Sequence, residues 1–231
     1  MALVPARPAP PARPVRLRRP PAAVRRAPLE LVVLGPSHVP ALTRYFDALS
    51  DQARAFRFLQ ATSQVSPAGV RVLCRPDGER HLAWAAVRGG VIVGECQLAR
   101  CAAVGHSGPW PATAGCAEFA LSVAEGSRGE GIGRFLLAAA AAAAARRGIG
   151  TLAFTADAGN ARMLAWMAAR GGRWTTHAGV ATGWLRTPAP ASDLVLVPGL
   201  GPAGPAAPSG PWAAARRRWA ATLRARAPRL A

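Results

Sequence analysis

The chain of 231 residues contains no lysine; all 29 of its Lys+Arg positions are arginine. With the abundance of Ala, Gly and Pro, this is the pattern of a GC-rich coding sequence, so composition by itself carries little functional message. Cysteine is scarce: Cys74, Cys96, Cys101 and Cys116, with no pair at CxxC spacing. The histidines His38, His81, His106 and His177 do not cluster with them in sequence, which argues against a zinc site, and no metal is expected. The reading that remains is four reduced, buried thiols in a cytoplasmic protein. No uncharged apolar run reaches the roughly 18 residues of a membrane span. Residues 1–28 hold eight prolines and no serine, and they lack the apolar stretch of a secretory signal.

Acidic residues are also absent from both ends. Residues 1–28 carry seven arginines and residues 198–231 carry six, and neither segment has an acid. The other 16 arginines share residues 29–197 with all 11 acids. The net charge of +18 therefore belongs mostly to the tails, and it is weak support for a nucleic-acid-binding core. Three segments follow from this. Residues 1–28 are a Pro/Arg-rich tail expected to be disordered, residues 29–197 form the folded domain, and residues 198–231 are a Pro/Gly linker with a basic end. The tails are expected to touch anionic surfaces weakly. The basic end has arginines at 216, 217, 218, 224 and 226. It reads either as an amphipathic helix for a membrane, RNA or acidic partner, or as low-complexity sequence without a role.

Within the domain, "LELVVL" (29–34) suits a short strand. Val39, Leu42, Phe46 and Leu49 have helical spacing behind Ser37, a candidate N-cap. A second helix is expected over "DQARAFRFLQA". "HLAWAAV" and "VIVGECQLAR" read as a hairpin turned by Arg88, Gly89 and Gly90. Residues 102–116 read as loop and "AEFALSV" (117–123) as a strand. Residues 133–147 read as a helix with eight consecutive alanines, 138–145, stopped by Gly148. A strand over 150–156 and a helix capped by Asn160 follow, with weaker strands at 173–186 and 193–197. The order β-α-α-β-β-β-α-β-α-β-β predicts an α/β or α+β sheet flanked by helices.

The stretch "SRGEGIGRFLL" (127–137) places a glycine-rich turn between strand and helix. A P-loop needs lysine after its second glycine, and Ile132 stands there behind Gly126 and Gly131. A dinucleotide fingerprint needs a third glycine, where this chain has Arg134 or Leu136. A turn of this kind still gathers free N–H groups at a helix start, where they favour an anion.

Arg128-Gly129-Glu130-Gly131-Ile132-Gly133 matches R/Q-x-x-G-x-G/A and resembles the acyl-CoA pyrophosphate loop of the GNAT N-acetyltransferase superfamily. The order of elements over 29–197 resembles the GNAT core, and "AEFALSVAEGSRGEGIG" is its most similar segment. More loosely, "LTRYFDALSDQARAFRF" resembles the first helices of the bacterial protein-lysine acetyltransferase branch. The resemblance implies a mixed, mostly antiparallel sheet flanked by helices, with acetyl-CoA as cosubstrate. Backbone groups of Leu121, Ser122 and Val123 would pair with pantetheine, residues 128–134 including Arg134 would hold the pyrophosphate, and Asn160 would contact pantetheine. The acceptor would be an amine, either a protein lysine or a small molecule; a noncatalytic acyl-CoA sensor is the alternative. Glu118 is the expected general base, because an amine of pKa about 10.4 arrives protonated at neutral pH. The family often protonates the departing thiolate with a tyrosine in the last helix, but "NARMLAWMAAR" has none and the only tyrosine is Tyr45. Cys116 reads as an inert neighbour of Glu118. Of Trp84, Trp110, Trp166, Trp174 and Trp184, most are expected in the core, and Trp110 is the candidate for substrate contact.

Overall fold

A computed structural model of the chain describes residues 27–60, 64–101 and 115–187. Both tails beyond these limits, the possible strand at 193–197 and Trp110 lie outside the described residues. Seven strands form one sheet: β1 (Leu29–Val33), β2 (His81–Arg88), β3 (Val91–Arg100), β4 (Cys116–Val123), β5 (Thr151–Asp157), β6 (Arg173–His177) and β7 (Val180–Arg186). Their order across the sheet is β1-β2-β3-β4-β5-β7-β6. Every neighbouring pair is antiparallel except β4 and β5, which run parallel. This is the mixed, mostly antiparallel sheet that the resemblance implies, within the helix-flanked α/β or α+β class expected from the order of elements.

Three helices, α1 (Val39–Asp47), α2 (Asp51–Phe58) and α3 (Pro67–Leu73), follow β1. Two more, α4 (Ile132–Ala145) and α5 (Ala161–Ala168), flank β5 in sequence. Ser37 does not cap α1. It lies in a short 3-10 turn, and α1 starts one residue after that turn with no side-chain cap. Ser50 caps α2 instead, its Oγ accepting the Ala53 N–H at 3.1 Å. Helix α3 was not expected, although Ser66 caps it (Gly69 N–H to Oγ, 3.1 Å) and Pro67 opens it. Its seven residues bury only Val70 and Leu73, too short a pattern for periodicity to mark. The expected hairpin is present, with Arg88 opposite Val91 and both Gly89 and Gly90 at positive φ. The weak strand 173–186 is itself a hairpin, β6 and β7, with Ala178 and Gly179 at positive φ in its turn.

The sheet separates two cores. One joins α4 and α5 to Trp84, Leu98, Phe119, Leu152 and Phe154. The other joins α1, α2 and α3 to Leu34, Ala83, Ala85 and Ile92. Alternation along β4 assigns its side chains. Ala117, Phe119, Leu121 and Val123 belong to the first core, and Glu118, Ala120 and Ser122 point to the opposite face. Helix α4 lies directly on β3: a Cβ at Gly94 would fall 3.0 Å from Leu136 Cδ1 and from the Ser122 carbonyl oxygen.

Candidate active site

The site is built where β4 and β5 part. They pair through only three positions, Cys116–Thr151, Ala117–Leu152 and Glu118–Ala153. Beyond Glu118, β4 continues for five residues paired to β3 alone. Backbone parity then decides which groups the open edge presents. The N–H of Ala124 donates to Val93 (2.9 Å) and the Cys116 carbonyl accepts from Cys101 (2.9 Å), so the even-numbered residues turn their backbone to β3. The Gly115 carbonyl accepts from Thr151 of β5 (3.1 Å), so the odd-numbered residues face the other way. Leu121 and Val123 therefore offer N–H and C=O groups to the wedge. Ser122 turns its backbone to β3 and its hydroxyl to the helical face.

Glu118 stands at the apex of the wedge. Thr155 of β5 donates its hydroxyl to Glu118 Oε1 at 3.2 Å, fixing one carboxylate oxygen from the strand that diverges. At the other end of β4 a short 3-10 turn (Glu125–Ser127) leads into the glycine loop. Gly129 and Gly131 have φ of +86° and +85°, a left-handed conformation that residues with a Cβ rarely adopt. This backbone turns the chain into α4 with Gly131 as N-cap and no side-chain cap. The first bond across the α4 start runs from the Phe135 N–H to the Gly131 carbonyl (3.0 Å), so the N–H groups of Ile132, Gly133 and Arg134 precede it. No acid occupies the first turn. The Arg134 guanidinium lies over Gly131, 3.6 Å from where a Cβ would be. The loop, the helix start and Arg134 together gather backbone N–H groups and a cation, a combination suited to a phosphate group.

Other side chains are already engaged. Glu130 forms an ion pair with Arg88 on the β2–β3 hairpin, so only its backbone belongs to the loop. Arg128 reaches back from Nε to the Val123 carbonyl at 3.3 Å. A Cβ at Gly133 would meet Trp166 and Val123 at ordinary contact distances of 3.7 and 3.9 Å. Asn160 caps α5, its Oδ1 accepting the Met163 N–H at 3.2 Å. Arg170 stacks on Trp166, 4.1 Å from the ring centroid. Burial, with repulsion from Arg134, holds its guanidinium below the usual range.

Residues 45–171 match the Acetyltransferase (GNAT) family. The chain belongs to that family. Three solved structures share the fold of this GNAT chain at low identity. The GNAT domain of S. lividans PAT is 24% identical, with 68% of this chain and 90% of that one covered and a TM-score of 0.62. The Salmonella typhimurium protein yncA, solved with its cofactor acetyl-CoA, is 16% identical over 71% and 98% of the two chains, with a TM-score of 0.52. Spermidine N-acetyltransferase from Vibrio cholerae, in complex with CoA and spermine, is 12% identical over 69% and 95%, with a TM-score of 0.53. No curated protein matches the sequence.

Sequence reasoning did not foresee the polar cluster behind β4. The Arg57 guanidinium pairs with both oxygens of the Glu95 carboxylate (2.6 and 3.1 Å). The Ser122 hydroxyl donates to Glu95 Oε1 at 2.6 Å and lies 2.9 Å from the Tyr45 hydroxyl. Gln97 contacts Glu95 Oε2 at 3.4 Å through Nε2, and its Oε1 lies 2.6 Å from His81 Nε2. Burial alone would lower the Arg57 guanidinium, but the Glu95 charge and hydrogen bonds hold it above its ordinary range. Burial, reinforced by Glu95, pushes the Tyr45 phenol well above its ordinary range. The sole tyrosine is thus a buried member of this cluster on α1. Above it, Ser50 donates its N–H to Glu125 at 3.2 Å and its hydroxyl to the same carboxylate, tying the start of α2 to the turn before the glycine loop. The only sequence signal for the cluster is that Glu95 and Gln97 place polar side chains at alternate positions inside the strand Val91–Arg100.

Proposed function

We propose that the chain is a cytoplasmic N-acetyltransferase that passes the acetyl group of acetyl-CoA directly to an amine. A protein lysine is the preferred acceptor and a small-molecule amine the next. The observation that carries this reading is the parting of β4 and β5 immediately beyond Glu118, beside a left-handed glycine turn that opens α4. The residues fit an acyl-CoA. The wedge exposes a strand edge for an amide-containing arm, and the helix start with Arg134 suits a pyrophosphate. Acetyl-CoA supplies an activated thioester.

The chain's own groups do the rest. Leu121 and Val123 pair with the pantetheine arm through their backbone. The loop of Arg128, Gly129, Glu130, Gly131, Ile132 and Gly133, with Arg134, holds the pyrophosphate by N–H groups and charge, and the amide nitrogen of Asn160 reaches toward pantetheine. Glu118, oriented by Thr155, takes the proton from the incoming ammonium directly or through water. The Val123 N–H meets the negative charge that develops on the thioester oxygen. Water protonates the departing thiolate, since α5 carries no tyrosine and the Tyr45 hydroxyl is held at Ser122. That missing tyrosine favours one second reading, a noncatalytic acyl-CoA sensor.

Thermal unfolding of the full chain with and without acetyl-CoA tests both. Saturation at 100 times Kd adds about 2.7 kcal/mol, so the wild type melts several degrees higher with ligand and a Gly131→Glu variant does not. Glu118→Gln keeps the ligand-induced shift and loses turnover by about 10²–10⁴-fold. A shift in the wild type with no transfer to any amine supports the sensor. No shift in a folded chain removes the acyl-CoA site and both readings with it.

A further inference from the structure

Cys101 and Cys116 are 15 residues apart in sequence and opposite one another in the sheet. The register pairs Arg100 with Ala117, and the next step along the two strands places Cys101 beside Cys116, the Cys101 N–H donating to the Cys116 carbonyl at 2.9 Å. Their Sγ atoms are 3.0 Å apart, too far for a covalent bond and close enough to form one with a small side-chain adjustment. Directly opposed residues of antiparallel strands have Cα atoms about 4.5–5.5 Å apart, inside the range that disulfides span. Cys116 is buried, and Cys101 is half-buried at the strand end. Cys101 is the more accessible of the two and so the one an oxidant meets first.

We propose that Cys101 and Cys116 form a peroxide-sensitive pair that closes to a cross-strand disulfide two residues before Glu118. The Cys101 thiolate attacks one oxygen of a hydroperoxide such as hydrogen peroxide. The O–O bond breaks, leaving Cys101 as a sulfenic acid and releasing hydroxide, which is protonated to water. The Cys116 thiolate then attacks Cys101 Sγ, the S–O bond breaks, and a second water leaves. Two thiols are oxidised and one peroxide is reduced to two waters. In the reducing cytoplasm such a bond is transient, a response to oxidant rather than a permanent brace. The other two cysteines are an internal control. Cys74 and Cys96 are fully buried on separate elements. Burial pushes the Cys74 thiol up to about 11 and the Cys96 thiol further, so neither is a good nucleophile.

The proposal stands apart from the acyl-transfer reading, and its test needs no activity. The full chain is treated with hydrogen peroxide, quenched and digested, and its four thiols are counted. The expected product has lost two thiols and about 2 Da, with one crosslink joining the Cys101 and Cys116 peptides, and dithiothreitol reverses it. Its unfolding temperature exceeds that of the reduced chain, because the bond constrains the segment between the two cysteines in the unfolded state. Cys116→Ser should instead accumulate a Cys101 sulfenic acid that dimedone traps. Thiol loss at Cys74 or Cys96, a crosslink between chains, or direct overoxidation of Cys101 in the wild type would each overturn the pair. The wild-type digest decides this even if Cys116→Ser does not fold.

Discussion

On one face of the sheet α4 presents Ala140, Ala141, Ala143 and Ala144 to a core that holds no buried charge among the described residues. On the other face α1 and α2 cover Glu95, Gln97, His81 and the Ser122 hydroxyl, with Arg57 and Tyr45 reaching in from the helices. The alanine face gains its stability from close approach. Small side chains let a helix lie near the sheet, and Gly94 leaves room for Ile132 and Leu136 at the helix start. The polar face gains order instead. Glu95 is matched by Arg57 and Ser122, Tyr45 by Ser122 and Gln97 by His81, partners from different elements that fix how the helices sit on the sheet. Strand β4 belongs to both faces. Its odd-numbered residues anchor it in the apolar core and offer the open edge, and its even-numbered residues carry Glu118 and Ser122.

The contrast is most easily broken at the buried ion pair. Glu95→Ala leaves the Arg57 guanidinium buried without its carboxylate, and the expected loss is about 3–5 kcal/mol in urea unfolding. The double change Arg57→Met with Glu95→Met should recover most of it, because the cost lies in the unpaired charge and not in the missing bond. A double variant as unstable as Glu95→Ala would show that the polar face contributes stability as well as order. On the alanine face the failure is steric. Ala140→Leu pushes α4 off the sheet and should cost about 1–3 kcal/mol, read as a lower urea midpoint with an unchanged slope. An unchanged midpoint would mean that the helix is not close-packed there.

The smallest effect concerns pH. Burial, only partly opposed by Gln97 and Asp77, holds the His81 imidazole below its ordinary range. The unfolded chain therefore takes up that proton first. The His81 contribution to stability is complete above the ordinary histidine pKa and is lost as pH falls below it. Asp77, held low despite burial by backbone N–H bonds from residues 79–81, contributes over a more acidic interval. Unfolding midpoints should thus decline as pH falls below the ordinary histidine range, and His81→Gln should flatten that decline. An equal slope in the variant would assign the decline to other groups.

Much of the fold is a local matter and can be read from the chain. Strands β1 to β5, the Gly89-Gly90 turn, the alanine helix and its Gly148 stop depend on neighbours within a few positions. So does the left-handed turn at Gly129 and Gly131, which is why "SRGEGIG" singles out its own place in the molecule before any tertiary contact is known. Three things depended on register instead. Tyr45 meets Ser122 across 77 positions, Arg57 meets Glu95 across 38, and Cys101 meets Cys116 across 15. Spacing along a chain says nothing about which strand residues will lie opposite one another until the pairing is set. Register also divided Leu121 and Val123 from Ser122. Composition and local pattern place a strand, but only the sheet decides which side of that strand is left open.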